Sequence, residues 1–169
     1  TAEQRRQEIL TLLEQTDTPL SAAALAHRFS VSRQIIVGDI ALLRAGGMDI
    51  AATPRGYVLP APAAGLVRTL ACRHRADQME EELNAMVDQG CTVLDGIVGH
   101  PIYGQLTGQL QISSRYDVQQ FLARVQAHDA APLSMLTGGI HLHTLRCPDE
   151  AACARACAAL KAAGLLLDD

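Results

Sequence analysis

The triplet His141-Leu142-His143 has the spacing of a metal site. On a β-strand successive side chains alternate between faces, so both imidazoles stand on one face and can reach one ion. His74 falls where an upstream strand ends, and Glu82 lies mid-way along the helix that follows it. A strand-to-helix turn can fold Glu82 back towards His74. Three imidazoles and one carboxylate form a borderline-hard donor set suited to zinc, nickel or ferrous iron, and spacing does not choose among them. A plainer reading stands beside this one. Glu82 follows Glu80 and Glu81, and an acidic run on a helix is commonly a solvated face. A His-x-His pair on a strand often serves ordinary hydrogen bonding.

His100-Pro101-Ile102-Tyr103-Gly104 is a second cluster, placed where one strand ends and the chain turns. Proline fixes φ and glycine permits a positive φ, so such a turn can hold the His100 imidazole and the Tyr103 phenol at a pocket edge. The bland alternative is a stiff turn whose tyrosine packs. His27 and His128 have no comparable context and read as structural or surface residues. The five cysteines (Cys72, Cys91, Cys147, Cys153, Cys157) include no Cys-x-x-Cys pair, which disfavours a zinc knuckle or a disulfide framework. Cys153 and Cys157 lie one helical turn apart, as packing thiols would.

The elements that must position these groups follow from periodicity. Residues 66–73 read as strand, 77–89 as helix, 91–98 and 106–112 as strands, 114–127 as helix, 138–145 as strand and 149–163 as helix. Ser114 with Asp117 makes a cap-like start to the second helix. The order β-α-β-β-α-β is the split βαβ, ferredoxin-like pattern with one extra helix, so the expected class is α+β. Pro60 to Gly65 is the only obvious linker, which divides the chain into domains 1–60 and 66–169.

The first 60 residues read as three helices and a hairpin. Ile9, Leu10, Leu12 and Leu13 recur at helical spacing, and Thr16 to Pro19 stops that helix. Ser21 caps a short helix, Ala22 to Phe29, and Ser32 caps a third that carries Ile35, Ile36, Ile40 and Leu43 inward and stops at Gly46-Gly47. Met48 to Ala52 and Tyr57 to Leu59 pair across Thr53-Pro54-Arg55-Gly56 as a wing. In a helix-turn-helix the start of the second helix enters the major groove, which here exposes Ser32, Arg33, Gln34 and Val37. Arginine can read guanine and glutamine adenine, while serine at a helix N-terminus suits a phosphate. Arg55 at the wing tip reaches for the backbone or minor groove. Gly38, inside the recognition helix, costs about 1 kcal/mol relative to alanine.

Composition sets the bounds. At 49% hydrophobic and 19% charged residues the chain is expected to be globular, and no apolar run approaches the roughly 20 residues of a membrane span. The N-terminal residues lead into an amphipathic pattern rather than a signal peptide, so the expected location is cytoplasmic. The net charge of −4 argues against DNA binding on its face, yet six arginines balance six acids within residues 1–60, so the acidity belongs to the second domain. Phosphate neutralisation is local, and a neutral domain with its arginines on one face can bind DNA.

Arg5 to Leu59 resembles the winged helix-turn-helix shared with the biotin repressor. The likeness lies in Leu20-Ser21-Ala22-Ala23-Ala24-Leu25-Ala26, Val31-Ser32-Arg33-Gln34, Asp39-Ile40-Ala41-Leu42-Leu43-Arg44 and Pro54-Arg55-Gly56-Tyr57-Val58-Leu59. Residues 66–163 resemble the three-histidine (3H) domain through Cys72-Arg73-His74, Glu81-Glu82-Leu83, Val93-Leu94-Asp95, His100 to Gly104 and Gly138-Gly139-Ile140-His141-Leu142-His143-Thr144. Together they resemble the nicotinate-responsive repressors of NAD biosynthesis and niacin transport. That resemblance implies a metal on His74, Glu82, His141 and His143, with His100 lining the effector pocket. It also implies a homodimer on a palindromic operator with nicotinic acid as co-repressor. Gly99 stands where an acidic residue is expected. Ser113 and Arg115 are candidates for the effector's carboxylate, which would bind beside the metal. Two rivals remain at this stage: a metal-dependent hydrolase of a nicotinamide-like compound, for which no general base is placed by motif, and a regulator that senses the metal itself.

Overall fold

A computed structural model describes residues 1–60, 65–127 and 137–167, and the chain divides into two compact units, Thr1–Pro62 and Ala63–Asp169. Most of the expected linker, residues 61–64, and His128 lie outside the described residues. No helix among the described residues is long and apolar enough to cross a membrane.

The first unit begins with α1 (Ala2–Glu14), whose start is closed by a capping box: the Thr1 hydroxyl accepts the Gln4 N–H while the Gln4 side chain returns to Thr1. α2 (Ala22–Phe29) and α3 (Arg33–Ala45) are capped by the Ser21 and Ser32 hydroxyls as expected. Between them Ser30 adopts a left-handed conformation, which turns the chain tightly enough to pack the two helices together. Ile9, Leu13, Leu25, Ile36, Ile40, Leu43 and Ile50 form the core. Ile35 is a correction to the expected inward stripe: it is 42% exposed, because Ile36, Ile40 and Leu43 at i, i+4 and i+7 already define the buried face. His27 is exposed on α2.

Asp39 is the polar residue that the sequence pattern did not single out. It is buried on α3 and accepts a two-pronged bond from Arg5 of α1 (2.6 and 3.2 Å), with Arg6 at 3.5 Å. The wing is a short hairpin of β1 (Ala51–Thr53) and β2 (Gly56–Val58). Leu20 and Tyr57 exchange both backbone bonds, at 2.9 and 2.8 Å, so the wing is tied to the residue before α2. Gly56 permits this closeness: its φ is +135°, and a Cβ there would overlap the Leu20 backbone.

The second unit holds β3 (Leu66–Arg73), a short 3-10 turn (Ala76–Gln78), α4 (Met79–Val87), β4 (Thr92–His100), β5 (Gly104–Ile112), α5 (Arg115–Ala127), β6 (Ile140–Cys147) and α6 (Glu150–Ala162). The element order is the expected β-α-β-β-α-β plus a helix. The sheet order is β3-β6-β4-β5 with every neighbouring pair antiparallel. β3 and β4 therefore run parallel with a strand between them, as in a split βαβ. The strand in the gap is the last one, β6, whereas a ferredoxin-like order would put β5 there. β5 pairs with β4 at the edge, and β6 lies in the interior between β3 and β4.

One face of β6 presents His141, His143, Leu145 and Cys147, all buried, and the sheet, α4, α5 and α6 close the core over it. The cysteines are free thiols, and Cys91, Cys147, Cys153 and Cys157 pack in or against this core, with Cys91 and Cys147 sulfurs 3.4 Å apart.

Two glycines in the first unit give opposite expectations. Gly56→Ala forces a strained, colliding turn and is expected to cost about 1–3 kcal/mol. At Gly38 an added Cβ meets nothing within 4 Å, so Gly38→Ala is expected to gain up to about 1 kcal/mol. Hydrogen exchange at α3 and β2 amides in the full chain measures both; equal effects of the two changes would contradict the packing described.

Candidate functional site

His74, Glu82, His141 and His143 arrive from four places: the end of β3, the middle of α4, and two positions of β6. All four are buried, at 7%, 1%, 4% and 5% exposure. Each imidazole directs Nδ1 at a backbone carbonyl: His74 at Arg75 (2.7 Å), His141 at Gly139 (2.8 Å) and His143 at Asp95 (2.7 Å). A carbonyl only accepts, so in each ring the proton sits on Nδ1 and Nε2 is left for the interior. The three Nε2 atoms face one carboxylate, with His141 and His143 each 2.7 Å from Glu82 oxygens and His74 at 3.5 Å.

Local backbone features make this convergence possible. β4 carries a bulge between Val93 and Asp95, which turns the Asp95 carbonyl towards His143 while its carboxylate accepts the Thr144 N–H at 3.1 Å. Gly139 has φ +94°, and a Cβ there would overlap the His74 carbonyl. Its own carbonyl accepts from both the His74 N–H (3.3 Å) and the His141 ring. Gly139 thus couples two of the imidazoles through one peptide.

Neutral imidazoles with Nδ1 already protonated would point lone pairs at carboxylate oxygens, a repulsive arrangement in a buried site. The cluster therefore calls for a positive charge among its inner atoms, which a proton or a cation can supply. Burial raises the Glu82 pKa, but the bonds and charges of His141 and His143 outweigh it and hold it at about 2. Burial likewise lowers His143, yet Glu82's bond and charge, with help from Asp95, bring it above the ordinary 6.5. Three nitrogen donors fixed by carbonyls, plus a carboxylate, fit a divalent transition metal, because pinning the far ring nitrogen is the usual support of a ligating histidine.

Cys72 is buried beside this cluster. In the sheet it pairs directly with His141, and its sulfur, a Glu82 oxygen and a His141 nitrogen all lie within 4.8 Å of one another. Burial, then the Glu82 charge, push its pKa up.

The remaining expected residues are placed as follows. His100 stands on the same sheet face as His143, because Gly96 pairs with His143 and His100 follows at the fourth position along the strand. Its Nδ1 accepts the Ile102 and Tyr103 N–H groups (3.1 and 3.2 Å), so its Nε2–H is the donor that remains. Tyr103 is 71% exposed, with its ring 5.0 Å from that of His100. Ser113 and Arg115 sit just past the C-terminal end of β5, where Ser113 bonds Asp117 and Arg115 makes a two-pronged bond to Asp88 (2.8 and 2.6 Å). Asp88 lies six residues past Glu82, about 9 Å along the helix.

In the first unit Ser32, Arg33, Gln34 and Val37 are all exposed on the leading part of α3, joined by Ile35. Arg55 is half-buried in the wing turn, where its N–H donates to Thr53. This surface offers two polar readers and two apolar groups that can meet thymine methyls.

Comparison with known proteins agrees with this division. The 3H domain family matches residues 67–169, and an HTH domain family matches residues 5–58. The chain is 44% identical over 169 residues to "Transcription repressor NadR" of Bacillus subtilis (strain 168), covering 98% of this chain and 94% of the relative. It is 41% identical over 167 residues to "Probable transcription repressor NiaR" of Thermotoga maritima, covering 99% and 95%.

Two expectations follow from the cluster. Glu82 stabilises the fold fully above 4.5 and loses this as pH falls towards about 2; His143 does so below 6.5 and loses it as pH rises through its raised value. Chelated protein should therefore melt highest between these ordinary values and lower at alkaline pH, and added divalent metal should abolish the alkaline loss. A chelated melting temperature flat from pH 5 to pH 8 would contradict the charge balance. Gly139→Ala should weaken metal affinity by roughly 10–100-fold by displacing the supports of His74 and His141, as read by calorimetric zinc titration.

Proposed function

We propose that this chain, which belongs to the family of transcription repressors joining an HTH domain to a 3H domain, is a metal-containing repressor that binds operator DNA as a homodimer with nicotinic acid as co-repressor. The observation that carries the reading is the convergence on buried Glu82 of three Nε2 atoms whose rings are each pinned at Nδ1 by a carbonyl. His74, Glu82, His141 and His143 would hold the metal, with nickel, zinc or iron suited to the donors. When bound, the metal supplies a fixed positive charge for an anionic ligand.

The effector is assigned to the hairpin end of the sheet. His100 faces the same side as the cluster, and its Nε2–H can donate to a carboxylate, with Tyr103 beside it. The pairing of an acceptor anion with a donor imidazole favours nicotinic acid over its neutral amide. A co-repressor acts only through a difference in affinity between the DNA-competent dimer and its alternative. A dimer formed through the second unit would set two copies of α3 one helical turn of DNA apart, about 34–36 Å. In this reading the chain is a regulator and not an enzyme, in line with the names of its relatives.

Calorimetric titration of nicotinic acid into metal-loaded and chelated protein tests the proposal, with nicotinamide as control. Saturable binding of the acid that vanishes on chelation is expected. Metal binding without any acid binding would instead favour a sensor of the metal. For DNA, Arg33→Ala or Gln34→Ala is expected to cost about 1–3 kcal/mol of operator affinity and to relax specificity at one base position. A uniform loss on all sequences would reassign those residues to phosphate contacts.

A further inference from the structure

We propose that Cys72 is a ligand of this metal centre, its sulfur joining Glu82 and His141 to make a mixed sulfur, nitrogen and oxygen donor set. The inference rests on the metal reading above and extends it to a residue that carries no metal role there. Three observations converge. Cys72 and His141 are direct partners across β3 and β6, so their side chains stand side by side on one face. The Cys72 sulfur, a Glu82 oxygen and a His141 nitrogen lie within 4.8 Å of one another, so a small inward shift would bring all three onto one ion. Cys72 is fully buried, and His74, two residues on, brings the chain back to the same carboxylate.

The other cysteines do not share this setting. Cys91 and Cys147 contact each other at the far end of β6, where Cys147 pairs with Leu66, and Cys153 and Cys157 lie on α6. Among the described residues, Cys72 is the cysteine found in a group of metal-ligating side chains.

On loading, the Cys72 S–H bond breaks, a sulfur–metal bond forms and one proton leaves to solvent; nothing is oxidised or reduced. A thiolate donor selects zinc, nickel or cobalt over manganese or magnesium, which prefer oxygen ligands.

Full-length protein, chelated and then titrated with cobalt(II), provides the test. The wild type is expected to develop both ligand-field bands and a near-ultraviolet sulfur-to-cobalt charge-transfer band. Cys72→Ser should keep the ligand-field bands, lose the charge-transfer band and release one proton fewer per metal bound. Its zinc affinity should fall by roughly 100-fold or more, at least the loss seen on removing an outer-shell partner, with little change for manganese(II). Cys157→Ser, as a control, should retain the band. X-ray absorption on zinc-loaded wild type removes any dependence on a variant that fails to fold: a sulfur scatterer at about 2.3 Å is expected beside nitrogen and oxygen at about 2.0–2.1 Å. Cobalt bound without a sulfur band or scatterer would overturn the role of Cys72 while leaving the histidine–glutamate site standing. Failure of wild type to bind any of these metals would overturn both.

Discussion

The second unit is organised around one buried carboxylate. Glu82 is 1% exposed and faces three imidazoles, an arrangement that is tolerable in a protein interior only if the charges balance within it. Placing β6 inside the sheet brings His141 and His143 under α4, and the register against β3 puts Cys72 beside His141. The bulge at Asp95 and the positive φ of Gly139 supply the carbonyls that hold two of the rings. Each of these backbone features has a cost, and each is explained by the need to hold one nitrogen at one point.

The periodic parts of this structure were legible in the sequence. Helix caps at Ser21 and Ser32, the order of strands and helices, and the His-x-His pair on one strand face all follow from local rules. The information that was not local was missed. Whether β5 or β6 fills the gap between β3 and β4 depends on long-range pairing, and so does the neighbour of Cys72. Nothing near Arg115 in sequence discloses its bond to Asp88, twenty-seven residues away. Ile35 looked like core because an apolar residue beside Ile36 cannot be assigned to a face without fixing the helix phase. The part-buried Arg5–Asp39 pair spans thirty-four residues and left no local mark either.

Chemically the two units differ in kind. The HTH domain offers a set of exposed side chains on a helix whose position is set by a small apolar core and a wing tied back to Leu20. The second unit instead keeps its imidazole–carboxylate cluster buried and withdrawn from solvent, where a charge gained or lost changes the energy of the whole cluster. Such a site is suited to switching, because filling it alters the electrostatics of two strands and a helix at once. In the proposed reading, the HTH domain is what such a switch would act on.

The decisive measurement is operator affinity, read by fluorescence anisotropy on a duplex selected by the protein from a random pool, for wild type and Glu82→Gln, each with metal and with or without nicotinic acid. If the buried cluster controls DNA binding, nicotinic acid tightens the wild-type complex and leaves the variant unchanged, while the two proteins bind alike without effector. A Glu82→Gln protein that keeps the full response to nicotinic acid would contradict that control and place the switch elsewhere.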